Sequence, residues 1–159
     1  MKNLGVSLVK SKYHQLSELG SKFNLSFTSH LALGNKLIGL DGIRKCLLVC
    51  ETDNGLNQSY IIELNEVGGV SIKKSYGSIA SGELKNKTFE EFLKSIDLQF
   101  EYNDNKEARI LRFYDCEKDD PRNLPVLERN AKNWQMIFCK IISLEMDKVV
   151  EKRKALVLD

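Results

Sequence analysis

The stretch from Arg44 to Leu64, R-K-C-L-L-V-C-E-T-D-N-G-L-N-Q-S-Y-I-I-E-L, decides the fold class of this 159-residue chain. Its first part is apolar on both alternating faces, which is typical of a central strand. The triplet Asp53-Asn54-Gly55 supplies turn chemistry, because Asn and Gly accept a positive φ. Tyr60, Ile62 and Leu64 then follow in alternation, so the whole stretch predicts a β-hairpin.

Further strands are predicted downstream of this hairpin. Val70 and Ile72 alternate with polar residues, after a glycine pair that marks a turn or bulge. The run from 96 to 102 alternates most cleanly, and a turn leads into another strand over 108–114. Together these runs predict a single antiparallel sheet system over about residues 36–114.

Helical patterns flank the predicted sheet at both ends. The N-terminal pattern covers about residues 7–22, where apolar residues recur at helical spacing. Thr88 and Glu91 fit a capping box that begins a short helix. The C-terminal pattern covers about 125–154, and Pro125 suits its first turn because a missing N–H costs nothing there.

These elements predict one α+β domain over residues 1–159, closed by the long C-terminal helix. Each apolar face must be covered by another, so Leu98 and Phe100 are expected to pack on Trp134 and Phe138.

Four segments carry a resemblance to a known group of proteins. They are I-G-L-D-G at Ile38–Gly42, Y-G-S-I at Tyr76–Ile79 followed by Gly82-Glu83-Leu84, L-Q-F-E-Y at Leu98–Tyr102, and L-E-R-N-A-K-N-W at Leu127–Trp134. Over about residues 10–145 the chain resembles an uncharacterised family of small Bacteroidota proteins with a pleckstrin-homology-like domain.

The resemblance implies an antiparallel bent barrel with one end plugged by a C-terminal helix, and it implies no particular activity. The order of predicted strands and closing helix agrees with such a domain. Members of that family often have an apolar N-terminal anchor. The present sequence departs from them, because its N-terminal apolar stretch, Leu4 to Val9, is short and interrupted.

Composition excludes several classes of protein. The net charge is +2 and the pI about 8.3, below the pI above about 9 that is usual for nucleic-acid-binding domains. No segment approaches the roughly 18 apolar residues of a membrane span. We therefore expect a cytoplasmic protein that binds no nucleic acid.

The residue types that carry chemistry show no catalytic or metal-binding spacing. Cys46 and Cys50 lie four residues apart in a strand, about 13 Å, too far for a disulfide or for one zinc ion. The four cysteines are expected to be buried, reduced thiols. His14 and His30 lack a third ligand at a recognisable spacing. We predict no enzyme, no metal and no cofactor.

Four lysines form the most arguable binding feature. They flank the loop that follows the strand containing Val70, where they could meet an anionic lipid surface; they are Lys73, Lys74, Lys85 and Lys87. Nearby acidic residues favour an ordinary solvated surface instead. Peripheral lipid binding is therefore the alternative function.

The end of the C-terminal helix favours a different function. This helix is longer than a compact domain of this size needs, yet its last turns still carry Met146, Val149 and Val150. These residues either pack on the N-terminal helix or contact another chain. The leading hypothesis is a non-enzymatic interaction or scaffold module, binding an unknown protein partner or a second copy of itself.

Overall fold

A computed structural model describes the backbone of residues 4–158 and the side chains of residues 13–144 and 150–155. Two helices enclose seven strands in the sequence: α1 is Leu4–Lys22 and α2 is Leu124–Leu158. The strands are β1 Ser29–Leu33, β2 Lys36–Asp41, β3 Cys46–Asp53, β4 Leu56–Glu63, β5 Val67–Tyr76, β6 Leu93–Tyr102 and β7 Arg109–Asp115. The α+β class and the two terminal helices are confirmed.

The expected single sheet system is wrong, because the strands form two antiparallel sheets. The first sheet has the order β1-β2-β3-β4 and the second has the order β5-β6-β7. No closed barrel is found among the described strands. The chain divides into two compact units, Met1–Leu64 and Asn65–Asp159, and each unit is described by itself.

The predicted hairpin is present as β3 and β4. Asp53 pairs with Leu56, and the two residues between them have positive φ angles, 49° at Asn54 and 78° at Gly55. A two-residue turn of this kind matches the right-handed twist of the flanking strands. It therefore fixes the register of the whole hairpin.

In the first unit, α1 packs on the first sheet. Leu16 of α1 forms a buried cluster with Leu37 and Leu48. The ring of Phe27 reaches both elements: a Cβ added to Gly20 of α1 would lie 2.6 Å from Phe27 Cε2, and one added to Gly39 of β2 would lie 2.7 Å from Phe27 Cδ1. The glycine near the end of α1, which weakens the helical pattern, is therefore required by packing.

In the second unit, α2 packs on the second sheet. The Phe100 ring of β6 meets the Phe138 ring edge-on, with centroids 5.2 Å apart, and Trp134 lies 5.5 Å from Phe138. The predicted packing of Phe100 on this helix is confirmed. The glycine pair was predicted to mark a turn or a bulge, and a register shift between Val67 and Gly69 shows that the strand is bulged there.

The predicted capping box is also present. The Thr88 N–H donates to Glu91 Oε2 across 2.9 Å, although the helix that follows is only the short 3₁₀ segment Phe89–Phe92. The N-terminal helix begins three residues earlier than expected, and α2 extends four residues beyond the predicted end at 154.

Candidate functional site

The four predicted lysines do not share one face. Lys73 and Lys74 are neighbours in β5, and successive side chains of a strand point to opposite faces. Lys73 stands opposite Asp97 in the sheet register, and Lys74 stands opposite Ile96. Lys74 Nζ lies on the side of α2, where it donates to Glu128 Oε1 across 2.6 Å.

The charge of Lys74 is paired with the charge of Glu128. The hydrogen bond to Glu128 raises the pKa of Lys74, and the hydrogen bond from Lys74 lowers the pKa of Glu128. Lys85 and Lys87 are exposed in the segment between β5 and β6. The Lys87 Nζ atom lies 5.7 Å from the centroid of the Phe92 ring.

The predicted interface residues lie in the last part of α2. Val150 is 50% exposed, whereas the side chains of Met146 and Val149 lie outside the described residues. Ile142 is the last buried residue among the described side chains, and every described side chain after it is exposed. Leu144 is likewise 52% exposed.

One line of exposed residues runs along α2 at spacings of three, four and seven. We call Met136, Cys139, Ser143 and Val150 the heptad line; all four are exposed, and Met136 reaches 65%. Met146 falls on the same line in sequence. Residues with this spacing lie along one side of a helix, which is the arrangement of a two-helix seam. Met136 and Cys139 were not predicted as part of this surface, although their spacing to Val150 can be read from the sequence.

A groove of about 350 Å³ lies in the first unit, between α1 and the β3–β4 hairpin. Its floor includes Leu19 and Cys50, which also pack around the core cluster. The remaining lining residues are polar: Gln15, Glu18, Lys22, Glu51, Thr52, Asn57, Gln58 and Ser59. The sequence identified the hairpin and not the groove, because the approach of α1 is a tertiary feature.

The cysteines are less buried than expected. Cys46 and Cys50 are half-buried, whereas Cys116 and Cys139 are exposed, so the expectation of four buried thiols is wrong. Burial raises the pKa of Cys50, which keeps this thiol protonated near neutral pH. A protonated thiol on the groove floor acts as a weakly polar contact rather than as a nucleophile.

The histidines contact neighbours within the first unit. His14 Nε2 lies 2.8 Å from Glu18 Oε1, and the His30 ring meets Tyr13 edge-on with centroids 5.2 Å apart. Among the described residues, no group of three or more His, Cys, Asp or Glu side chains is arranged to hold a metal ion. Within the same residues, no helix combines the length and the hydropathy needed to cross a bilayer.

Comparison of the chain with known proteins identifies no relative. No family model matches the chain. No curated protein and no solved structure is significantly similar to it.

Proposed function

We propose that the chain is a non-enzymatic protein-interaction module with a pleckstrin-homology-like core, and that the heptad line of α2 is its binding surface. The observation that carries the proposal is that α2 continues past its last described core residue, Ile142, with every described side chain exposed. The order of antiparallel strands followed by a C-terminal helix supports the expected core.

The length of this extension favours a partner. From Ile142 to Leu158 the helix runs about 24 Å at 1.5 Å per residue. Helices in proteins gain most of their stability from packing an apolar face, and past Ile142 every described side chain of α2 is exposed. A partner that covers the heptad line would supply this packing.

The heptad line suits a second helix better than a flat surface. Met136 and Val150 supply apolar contacts, and the small side chains of Cys139 and Ser143 let a neighbouring helix approach closely. The Cys139 thiol donates to the Val70 carbonyl oxygen of β5 across 3.6 Å. A docked helix would therefore lie beside β5 at this end and extend along α2 toward Val150.

Light scattering on the full chain and three variants tests the proposal. Met136→Glu and Val150→Glu each place a charge on the heptad line. Leu144→Glu is the matched control, because Leu144 is as exposed as Val150 but lies on another side of α2. If two copies pair, the wild type and Leu144→Glu should have a mass above the 18.2 kDa of one chain, and the heptad-line variants should be monomeric.

If the wild type is monomeric, the proposal requires a partner that is a different protein, and a pull-down tests for it. In a pull-down from the native host, at least one protein should bind the wild type and Leu144→Glu but not Val150→Glu. If light scattering finds only monomers and no captured protein depends on Val150, the proposal is wrong.

The lipid-binding alternative has no comparable support in the geometry. Lys73 and Lys74 lie on opposite faces of the second sheet, and Lys74 is paired with Glu128. Of the four lysines, Lys85 and Lys87 are the two that could still contact an anionic lipid surface. Lipid binding stays a prediction.

A further inference from the structure

The edge of β4 that faces away from β3 carries main-chain hydrogen-bonding groups that do not pair with β3. β4 is an edge strand of the first sheet. Because Asp53 and Leu56 flank a two-residue turn, they form a hydrogen-bonded pair, and hydrogen-bonded and non-hydrogen-bonded pairs then alternate along the hairpin. Asn57, Ser59 and Ile61 fall in the non-hydrogen-bonded pairs, so their main-chain N–H and C=O groups point away from β3.

The hydrogen bonds on the opposite side of β3, which faces β2, support this assignment. Thr52 donates its N–H to the Asn35 carbonyl across 3.0 Å, so its main chain points away from β4 and toward β2. Its partner Asn57 must then point outward. In the part of the chain that the structure describes, no hydrogen bond between main-chain atoms outside the strand ladders involves Asn57, Ser59 or Ile61.

The composition of β4 leaves its edge open to another strand. Edge strands commonly resist pairing through charged residues, proline or bulges. The seven residues from Leu56 to Ile62 contain no charge and no proline, and their register with β3 is continuous. By contrast, the β7 edge of the second sheet carries Arg109, Arg112 and Asp115, and its register is interrupted.

The groove lies beside this edge and extends the same surface. The register pairs Leu48 with Ile61, Cys50 with Ser59, and Thr52 with Asn57. Since Leu48 packs against α1, the alternation of side chains places Cys50, Ser59 and Asn57 on the α1 side of the sheet. A strand added along β4 would place alternate side chains toward the groove.

We propose that β4 and the groove bind an extended segment of a partner protein, which adds to the first sheet as a fifth strand. The main chain of Asn57, Ser59 and Ile61 would supply the hydrogen bonds, as in other cases of strand addition. An apolar side chain of the segment would contact Leu19 and Cys50, and its uncharged polar neighbours would meet the amide and hydroxyl groups of the groove. This site lies in the first unit, and it does not depend on the proposed function, which rests on α2 of the second unit.

The probe is a displayed library of random nine-residue peptides, selected on the full chain and then synthesised. Enriched peptides should share an apolar residue at the position that meets Leu19 and Cys50. On binding, hydrogen exchange of the Asn57, Ser59 and Ile61 amides should slow by about tenfold or more, because these N–H groups become hydrogen-bonded. The Gln58 amide, which points toward β3, is the internal control and should change little.

Ser59→Pro and Ser59→Ala separate the main chain from the side chain. Proline is tolerated on an edge strand where the N–H faces solvent, so Ser59→Pro removes the outward donor without removing a bond to β3. It should weaken peptide binding by about tenfold, whereas Ser59→Ala should bind as the wild type does. Leu144→Glu on α2 should also bind normally.

If Ser59→Pro fails to fold, Gln15→Trp is the second variant, because a large ring in the wall of the groove should block the peptide's side chain. The proposal is overturned if no peptide is enriched, or if enriched peptides leave the three amides unchanged. It is also overturned if the three amides are already protected in the free chain because β4 pairs with β4 of a second copy.

Discussion

Lys74 of β5 and Glu128 of α2 join the second sheet to the C-terminal helix, with 2.6 Å between Nζ and Oε1. Both side chains remain about one-third exposed, so solvent screens the pair, and we expect Glu128→Gln to lower the free energy of unfolding by about 0.5–1 kcal/mol at neutral pH. Urea denaturation at low and high salt measures the loss, which should shrink as salt rises.

The pH dependence of this difference has a definite sign. The pKa of Glu128 is lowered in the folded chain, so its contribution is present above the unfolded pKa, about 4.3, and is lost as pH falls through the folded pKa. Wild type and Glu128→Gln should therefore converge in strongly acidic solution. Lys73→Gln is the control; an equal loss in that variant would show that the pairing with Glu128 is not the cause.

The two adjacent lysines show what local sequence can and cannot predict. Strand alternation alone places Lys73 and Lys74 on opposite faces, so the idea of one basic cluster ignored a pattern that was readable. The ion pair with Glu128 was not readable, since it joins residues 54 positions apart. Turn chemistry, by contrast, is local, and Asn54-Gly55 was sufficient to predict the hairpin.

The division into two sheets could not be predicted from the sequence pattern, for a related reason. Alternation predicts that a strand exists, but it does not predict which strands pair, because pairing depends on distant partners. The edge position of β4 follows from this pairing. On α2 the sequence shows several apolar lines, and only the packing of Trp134 and Phe138 on the second sheet determines which of them stay exposed.

Truncation of Trp134 tests whether α2 closes the core of the second unit. Trp134 is buried and lies against Phe138, so Trp134→Ala should lower the free energy of unfolding by about 3–5 kcal/mol as a cavity mutation. Leu144→Ala, exposed and outside the heptad line, should change it by less than about 0.5 kcal/mol. Urea denaturation compares them, and a loss under about 1 kcal/mol for Trp134→Ala would mean that the helix does not close the core.

Sedimentation with vesicles tests the lipid alternative. We expect no binding to neutral vesicles and weak binding to anionic vesicles that disappears near 0.15 M salt, because exposed charges are then screened beyond about 8 Å. Any low-salt binding should fall in Lys85→Glu and Lys87→Glu, by about 1 kcal/mol for each lysine removed, and less in Lys140→Glu. Binding that persists at high salt would instead indicate a specific headgroup site.

Asp41 at the end of β2 organises the first unit through three N–H groups. Its Oδ1 atom accepts from Ile43 at 3.0 Å and Arg44 at 2.9 Å, and its Oδ2 atom accepts from Ser26 at 2.9 Å. Burial raises the pKa of Asp41, but these hydrogen bonds outweigh it and the net pKa is lowered. In Asp41→Asn, one oxygen becomes an amino group facing an N–H donor. We therefore expect a loss of about 2–3 kcal/mol at neutral pH.

Acid titration of stability distinguishes this carboxylate from a merely well-packed side chain. Because the folded pKa of Asp41 lies below its unfolded value of about 3.9, its contribution is complete above that pH and is lost as pH falls through the folded pKa. The difference between wild type and Asp41→Asn, measured by urea denaturation, should be constant from pH 5 to 7 and should decrease below about pH 4. If the Asp41→Asn difference stays constant down to about pH 2, the contribution comes from packing rather than from the charged carboxylate.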